Sequence, residues 1–251
     1  MLNITEGTHS SRSIVVTGGT SGIGRAIVRR FAENGDDVVV VGRTPTTVAE
    51  TAAELGARGE VCDVTSAESV EALVSRLPAR IDVVVAMAGR NTDLGRVTDP
   101  SVSDLEDVSS AWEENLRANT VGTVLTVSAL SPRLAAGGSV VAVSSIGAEY
   151  AATSYGASKA AVAAWTAGIS ATLGPRGVTV NSIAPGYVED TAFFADTLTE
   201  ERRAQLVAAT HTGRASTPDD VAGLAFFLAG PDARQVTGQT IHVNGGAHVT
   251  R

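Results

Sequence analysis

The chain is poor in cysteine, aromatic residues and positive charge, and each shortage excludes a class of protein. Cys62 is the one cysteine among 251 residues, so no disulfide can form within the chain, and its apolar surroundings predict a buried residue. The formal net charge of −8 disfavours a nucleic-acid partner, because phosphate binding needs a basic face. The 4 histidines are scattered without ligand spacing, so we expect no metal site.

Long apolar runs are missing as well. No run reaches the roughly 18 residues of a membrane-spanning helix, so we expect no membrane partner. Residues 1–6 are neither basic nor apolar, which disfavours a signal peptide and favours the cytoplasm. Polar, aperiodic residues 1–11 are expected to form a flexible tail, followed by a single domain over residues 12–251.

What the chain has instead is 26 glycines and short Val/Ile-rich runs that alternate with segments of helical period. The runs predict strands at 14–17, 38–41, 59–62, 81–86, 139–143, 178–183 and 240–243. The periodic segments predict helices at 23–34, 46–55, 67–77, 111–135, 155–173 and 218–228. This alternation predicts a single-domain Rossmann fold: a doubly wound, seven-stranded parallel sheet with helices on both faces.

Two irregular segments, 90–110 and 187–213, follow the ends of predicted strands. Open α/β sheets bind their ligands at the carboxyl ends of strands, so both segments are expected to border a site. The first is predicted to be a loop with a short helix. The second contains Phe193, Phe194 and Leu198 before an amphipathic stretch, which is typical of a lid.

A glycine-rich turn, Thr17-Gly18-Gly19-Thr20-Ser21-Gly22-Ile23-Gly24, joins the first predicted strand to the first helix. Glycine permits a tight turn and a close approach of backbone to a pyrophosphate, and the helix N-terminus stabilises the anion. The segment therefore predicts a dinucleotide site. Its expected contacts are Gly18, Thr20, Ser21, Gly22, Ile23 and Gly24.

The end of the second predicted strand bears on the choice of nucleotide. An NAD site usually has a carboxylate here for the ribose 2′-hydroxyl, whereas this chain has Arg43 and Thr44. A guanidinium suits a 2′-phosphate, so we expect NADP(H) to be preferred, with NAD(H) as the alternative. After the third strand, Asp63 and Val64 are expected near the adenine.

Lys159 is the one lysine among 19 basic residues, and Tyr155 precedes it by four positions in a predicted helix. Residues at this spacing share a helix face. An ammonium favours the phenolate, so Lys159 is expected to lower the Tyr155 pKa into the range of an acid–base catalyst. On these residues alone, a surface lysine beside a core tyrosine remains the alternative.

The order of these motifs resembles that of the short-chain dehydrogenase/reductases over residues 13–246. The glycine turn, the Tyr155-x-x-x-Lys159 pair and the segments 119–122, 185–186, 237–239 and 243–246 carry the resemblance. The resemblance implies catalytic roles for Asn119, Ser145, Tyr155 and Lys159. It also implies cofactor contacts from Ala88, Gly89, Tyr155, Lys159, Pro185, Gly186 and Val188. Between Ser144 and Ser145 the second is favoured, and the choice stays open.

The resemblance also implies a mechanism, in which Tyr155 gives its proton to a substrate carbonyl as hydride arrives from the nicotinamide. Ser145 would hydrogen-bond the carbonyl oxygen, and Lys159 would lower the Tyr155 pKa and hold the ribose. Asn119 would hold a water that links Lys159 to solvent. The expected activity is an NADPH-dependent carbonyl reductase or alcohol dehydrogenase acting on a ketone or secondary alcohol.

Three departures from the family pattern indicate a reshaped pocket. The segment Ala86-Met87-Ala88-Gly89 replaces the usual Asn-Asn-Ala-Gly. The segment between Ser145 and Tyr155 is shorter than usual, and that between Gly89 and Asn119 is longer. The chemistry is expected to be intact, whereas the substrate is left open.

Several substrates and partners are open at this point. Many similar family members reduce 3-oxoacyl groups on acyl carrier protein, and Arg176 and Arg133 are candidate contacts for that acidic partner, although the net charge of −8 opposes it. A coenzyme A thioester, a small free ketone or a secondary-metabolite intermediate are alternatives, as is a non-catalytic NADPH sensor. The resemblance further implies a homotetramer packed through 111–135 and 155–173.

Overall fold

Seven parallel strands form one sheet in the computed structural model of the chain, which describes residues 11–94, 104–191, 193 and 198–250. The strands are Ser13–Thr17 (β1), Asp37–Gly42 (β2), Arg58–Val61 (β3), Ile81–Ala86 (β4), Leu134–Val143 (β5), Thr179–Pro185 (β6) and Thr240–Val243 (β7). Their order is β3-β2-β1-β4-β5-β6-β7. The predicted doubly wound, seven-stranded parallel sheet is confirmed.

Helices cover both faces of this sheet. They are Gly22–Glu33 (α1), Pro45–Leu55 (α2), Ala67–Arg76 (α3), Leu105–Asn115 (α4), Gly122–Leu130 (α5), Gly147–Tyr150 (α6), Ser154–Leu173 (α7), Glu200–Ala208 (α8) and Pro218–Leu228 (α9). Phe31 of α1 and Leu228 of α9 pack in one core cluster, and Leu73 of α3 and Leu130 of α5 pack in the other. The central strands β1, β2 and β4 are rich in Val and Ile because both of their faces are buried.

The chain reverses direction across the sheet between β1 and β4, which are neighbours. Successive units build outward from β1 toward β3, and then from β4 toward β7. A crevice forms at the carboxyl ends of the strands where such a reversal occurs. Thr17 and Ala86, which end β1 and β4, pair in register at this point.

The predicted helix over 111–135 is wrong at both ends. The helix begins at Leu105, inside the segment expected to be irregular, and a π-helical turn over Leu116–Val121 divides it into α4 and α5. It ends because Pro132 lies in a 3₁₀ turn over Ser131–Arg133. Leu134 then pairs with Ile81 as the first residue of β5, so residues 134 and 135 are strand.

The domain division remains a prediction, because residues 1–10 of the expected tail lie outside the described residues. Cys62 is buried, as expected. Among the described residues, no helix combines the length and the apolar character needed to cross a bilayer. The cytoplasmic location remains a prediction.

Candidate active site

A cavity of about 740 Å³ lies at the carboxyl ends of the strands. It is bordered by the glycine turn, by the ends of β2 to β6 and by the start of α7. Of the predicted site residues, those that line it are Gly18, Thr20, Ser21, Gly22, Ile23, Gly24, Arg43, Asp63, Val64, Ala88, Gly89, Ser145, Tyr155, Lys159, Pro185, Gly186 and Val188. Thr44 is instead the N-cap of α2, and Asn119 lies fully buried behind the wall.

The glycine turn brings three backbone segments into contact. A Cβ at Gly24 would lie 2.1 Å from the carbonyl oxygen of Gly18, and one at Gly18 would lie 2.8 Å from the backbone of Ala88. Ser21 is the N-cap of α1, but its side chain makes no capping hydrogen bond. The first N–H groups of α1 therefore have no side-chain cap, and they border the cavity where an anion would bind. A pyrophosphate fits this turn.

Arg43 and Asp63 place opposite charges at the rim of the cavity. The Asp63 carboxylate accepts hydrogen bonds from the backbone N–H and the hydroxyl of Thr65, at 2.9 and 2.8 Å. The backbone bond from Thr65, with a smaller contribution from the positive charge of Arg43, lowers the pKa of Asp63. Asp63 is therefore ionised at neutral pH, and the exposed Arg43 gives this part of the rim a cation.

The structure distinguishes the two adjacent serines. The hydroxyl of Ser144 is buried and donates to the backbone carbonyl of Lys159 at 3.0 Å. Ser145, in contrast, is hydrogen-bonded to the Tyr155 side chain, and its hydroxyl accepts from the N–H of Gly147 at 3.1 Å. Ser145 is therefore the serine whose hydroxyl lies beside the Tyr155 side chain.

The two titrating groups of the predicted pair are both buried. Burial raises the pKa of Tyr155 to about 12, against the opposing effect of its hydrogen bond to Ser145. Burial also lowers the pKa of Lys159 to about 7. The Lys159 ammonium lies 5.8 Å from the centre of the Tyr155 ring and donates to the Val143 carbonyl at 3.1 Å.

The prediction that Lys159 lowers the Tyr155 pKa is therefore wrong for this structure. Burial removes water from around the phenol, and this effect on the Tyr155 pKa is larger than any stabilisation of the phenolate. Tyr155 is protonated at neutral pH as a result. A protonated phenol can donate a proton, whereas a phenolate can only accept one.

The side chain of Asn119 acts as a clamp inside the protein. Its Oδ1 accepts from the N–H of Arg90 at 3.0 Å, and its Nδ2 donates to the carbonyl of Arg90 at 2.8 Å and to the hydroxyl of Ser158 at 3.0 Å. These bonds join the segment after β4 to α7. A Cβ at Gly89 would lie 2.4 Å from the same Oδ1, so the clamp requires glycine there.

A second clamp, which the sequence reasoning missed, begins at Asp93. One oxygen of its carboxylate accepts from Nδ2 of Asn115 at 2.9 Å and from the hydroxyl of Ser154, and the other accepts from the N–H of Tyr155 at 2.8 Å. The carboxylate thus lies at the N-terminus of α7, where the helix dipole favours negative charge. Nothing in the local sequence links residue 93 to residue 154, and only the fold brings them together.

The predicted lid borders the cavity through described residues near both of its ends. The ring of Phe193 lies 5.5 Å from that of Tyr155, and Tyr187 and Leu206 line the cavity as well. A Cβ at Gly22 would lie 3.3 Å from the methyl group of Thr191. The amphipathic stretch forms α8, whereas the predicted lid residue Phe194 lies outside the described residues.

The two arginines considered for a carrier protein are held by the chain itself. Arg176 donates to the backbone carbonyls of Ser131, at 2.7 Å, and Leu134. Arg133 donates to the carbonyls of Leu77 and Pro78, at 2.8 and 3.2 Å. Both side chains therefore have a structural use at the ends of β5 and α3.

The expectation of scattered histidines is wrong for two of them. His242 and His248 converge on the carboxylate of Glu149. The sequence spacing concealed this because Glu149 lies in α6, whereas the histidines lie in β7 and near residue 250.

Comparisons with known proteins match nearly the whole chain. A family model described as enoyl-(acyl carrier protein) reductase matches residues 18–248. Dehydrogenase/reductase SDR family member 4 of Sus scrofa is 34% identical over 245 residues, which cover 92% of this chain and 85% of that protein. The 3-oxoacyl-[acyl-carrier-protein] reductase FabG of Vibrio harveyi is 31% identical over 250 residues, with 94% and 96% covered.

Solved structures are similar over the same extent. A short-chain type dehydrogenase/reductase from Mycobacterium ulcerans has a TM-score of 0.85 and 31% identity, with 94% of this chain and 89% of that chain covered. A short chain dehydrogenase from Burkholderia cenocepacia J2315 in complex with NADP has a TM-score of 0.82 and 28% identity, with 94% and 97% covered.

Proposed function

Because the chain belongs to the short-chain dehydrogenase/reductase family, whose members are NAD(P)-dependent oxidoreductases acting on CH–OH and C=O groups, we propose that it reduces a ketone to a secondary alcohol with NADPH. The hydrogen-bonded pair of Ser145 and protonated Tyr155 carries this proposal. Both line one cavity with the glycine turn. The pair can meet one carbonyl oxygen.

A nicotinamide bound here supplies the hydride. Tyr155 supplies the proton to the oxygen, which its raised pKa of about 12 allows because the phenol stays protonated at neutral pH. Ser145 donates a hydrogen bond to the same oxygen and stabilises the developing negative charge. Lys159, held by Val143, lies beside the ring of Tyr155, where it can restore the proton and bind a ribose hydroxyl.

Asn119 has a different proposed role from that implied by the resemblance. Its amide is committed to Arg90 and Ser158, so the side chain positions α7 and does not face the cavity. A water between Lys159 and solvent would have to be held by backbone. The catalytic contribution of Asn119 then consists of fixing the helix that carries Tyr155 and Lys159.

The carbonyl activity is tested by following NADPH oxidation with acetoacetyl-coenzyme A and a panel of small ketones. Replacing Tyr155 by Phe removes the proton donor and is expected to lower kcat by about 10²- to 10⁴-fold. Tyr150→Phe is the matched control, because this tyrosine is largely exposed and does not line the cavity. Equal activity of the Tyr155→Phe variant and the wild type would refute the proposed proton donor.

Preference for NADPH over NADH is proposed on the position of Arg43 at the cavity rim. Its guanidinium can pair with a 2′-phosphate, whereas NADH offers a hydroxyl there. Arg43→Gln is expected to weaken NADPH binding by about tenfold, equivalent to one lost charged hydrogen bond, and to leave NADH unchanged. Arg80→Gln removes an exposed charge away from the cavity and serves as the control.

The substrate is proposed at the level of chemical class. A 3-oxoacyl thioester, on coenzyme A or on acyl carrier protein, is the first candidate because of the similarity to FabG. A small free ketone or a secondary-metabolite intermediate is favoured by the net charge of −8 and by the commitment of Arg133 and Arg176 to backbone carbonyls. The Ser145–Tyr155 pair favours reduction at a carbonyl over the enoyl reduction that the description of the matching family model names.

We also propose a homotetramer. Trp112 of α4 and Val121 of the π-helical turn are large apolar side chains with 42% and 39% of their surface exposed. A subunit contact over this segment would cover both side chains. Light scattering on the eluting protein would measure the mass directly, and a monomer would exclude the assembly.

A further inference from the structure

Glu149, His242 and His248 form a cluster outside the cavity that the proposed reaction does not use. The two carboxylate oxygens of Glu149 lie 3.4 Å from Nε2 of His242 and 3.6 Å from Nε2 of His248. One potential ligand atom from each residue lies within 4.8 Å of both others. Both imidazoles thus present the same ring nitrogen to a single acidic group.

The backbone around the cluster is built to hold the two histidines together. Gly245 and Gly246 both have positive φ, of 61° and 89°, and turn the chain back after β7. The side chain of Asn244 fixes this turn, because it accepts from the N–H of Gly246 at 2.9 Å and donates to the carbonyl of His248 at 3.0 Å. The convergence of His248 on His242 is therefore a product of the turn.

The charge and the exposure of the cluster suit a cation. Among the described residues, the ion pairs of Glu149 are with the two imidazoles and with no arginine or lysine. The side-chain exposures of 11% for His242, 24% for His248 and 33% for Glu149 leave one side open to solvent.

The ligand set selects the class of metal. Two imidazoles and a carboxylate are the donors that zinc and the related divalent transition metals use, whereas calcium and magnesium prefer oxygen alone. Ligand bonds of about 2.0–2.1 Å in a tetrahedron place neighbouring ligand atoms about 3.3–3.4 Å apart. Each imidazole lies close to this distance from a different oxygen of Glu149, and one ligand atom from each of the three residues lies within 4.8 Å of the others, so a small closure of the cluster would complete the site.

We propose that Glu149, His242 and His248 bind one divalent transition metal ion of the zinc class, with a fourth position open to water. Glu149 belongs to α6, and Gly147 of the same helix lines the cavity next to Ser145. His242 and His248 belong to the strand and turn at the far edge of the sheet. The metal therefore ties the short wall between Ser145 and Tyr155 to β7 and restricts its movement.

The test is direct metal binding by tag-free protein that has been treated with a chelator. Titration calorimetry with Zn²⁺ is expected to show one ion per chain, and Co²⁺ is expected to give the visible absorption of a four-coordinate site. Glu149→Gln, His242→Gln and His248→Gln should each weaken Zn²⁺ binding by at least about 100-fold, the upper end of what losing a supporting partner costs at a metal site. Circular dichroism checks that each variant is folded.

Glu50→Gln is the matched control, since Glu50 is an exposed carboxylate of α2 outside the cluster. It should bind Zn²⁺ as tightly as the wild type. Absence of stoichiometric binding, or full binding by the Glu149→Gln protein, would show that the cluster is only a hydrogen-bonded bridge and would overturn the proposal. None of these readouts depends on carbonyl reduction, so the proposed function and the metal site can fail separately.

Discussion

The nucleotide turn (residues 17–24) borders the cavity, and the two clamps (Asp93 with Asn115 and Ser154, and Asn119 with Ser158) lie behind the opposite wall. The two regions are held in different ways. The turn is shaped by backbone: a Cβ at Gly24 or Gly18 would collide with main-chain atoms. The clamps are made of buried side-chain hydrogen bonds between segments 22 to 62 residues apart.

This difference decides what each region tolerates. A backbone turn fails when a side chain is added, whereas a clamp fails when a polar atom is removed or reversed. It also decides where folding free energy is lost, because the region of the clamps and α7 buries the amine of Lys159 while the turn buries no charge. We therefore expect the turn to be sensitive to larger side chains and the clamps to be sensitive to the loss of polar atoms.

The largest effect is expected from the buried Lys159. Its pKa of about 7 in the folded chain is below the value of about 10.4 in an unfolded one, so the unfolded chain binds more protons between these values. The free energy of unfolding should therefore rise as the pH increases from 7 to 10, by up to about 1.4 kcal/mol per pH unit or about 4 kcal/mol in all.

Denaturant unfolding of the wild type and the Lys159→Met variant across this pH range measures that slope. Cys62 and Tyr155, whose pKa values are raised by burial, affect both proteins alike. Below pH 7 the two curves should run parallel, because Lys159 is then protonated in both the folded and the unfolded chain. Curves that stay parallel above pH 7 as well would mean that Lys159 is charged in the folded chain throughout, and the region of the clamps and α7 would then carry no such cost.

Gly24→Ala is the next largest and tests the backbone region. The added methyl group would lie 2.1 Å from the Gly18 carbonyl, so the turn must shift. We expect a loss of about 3 kcal/mol in the free energy of unfolding, the upper end for overpacking, together with loss of nucleotide binding. Gly223→Ala is the control, because nothing lies within 4 Å of its added carbon and alanine favours the helix. A stable, nucleotide-binding Gly24→Ala protein would contradict the description of the turn.

Asp93→Asn has the smallest expected effect on stability and tests the clamps. It replaces one carboxylate oxygen by a donor that faces either the N–H of Tyr155 or the side chains of Ser154 and Asn115. A loss of about 2 kcal/mol is expected. Because Tyr155 is displaced, kcat should also fall about 10- to 100-fold while nucleotide affinity is unchanged.

Asp104→Asn controls for the change of charge, since Asp104 is an exposed helix N-cap that accepts from Glu106, and Asn caps as well as Asp. If the Asp93→Asn protein lost as much nucleotide affinity as kcat, the clamps and the nucleotide turn would be structurally coupled, which would contradict the comparison.

The features that could be predicted from the sequence are those that depend on residues close together in the chain. The Val-rich strands and the glycine turn were readable because burial on both faces and a tight turn each demand a residue type at adjacent positions. The pair of Tyr155 and Lys159 was readable because four residues of helix bring side chains together.

The parts that were missed depend on the fold. Asp93 gains its role only when β4 and α7 become neighbours, and the pKa of Tyr155 depends on how completely the cavity wall excludes water. The convergence of His242 and Glu149 is of the same kind, since no pattern of spacing connects them.

The π-helical turn at Leu116–Val121 determines whether this helix tolerates the deletion of a residue. Such a turn accommodates one more residue than an α-helical turn, and each residue of an α-helix advances the side-chain direction by about 100°. The buried faces of α4 and α5, marked by Asn115 and Leu130, are therefore out of phase with any uninterrupted helical repeat. Deleting one residue here would restore a regular α-helix but would rotate the side chains of α5 by about 100° relative to those of α4. One of the two buried faces would then point away from the core, so a single-residue deletion is not tolerated.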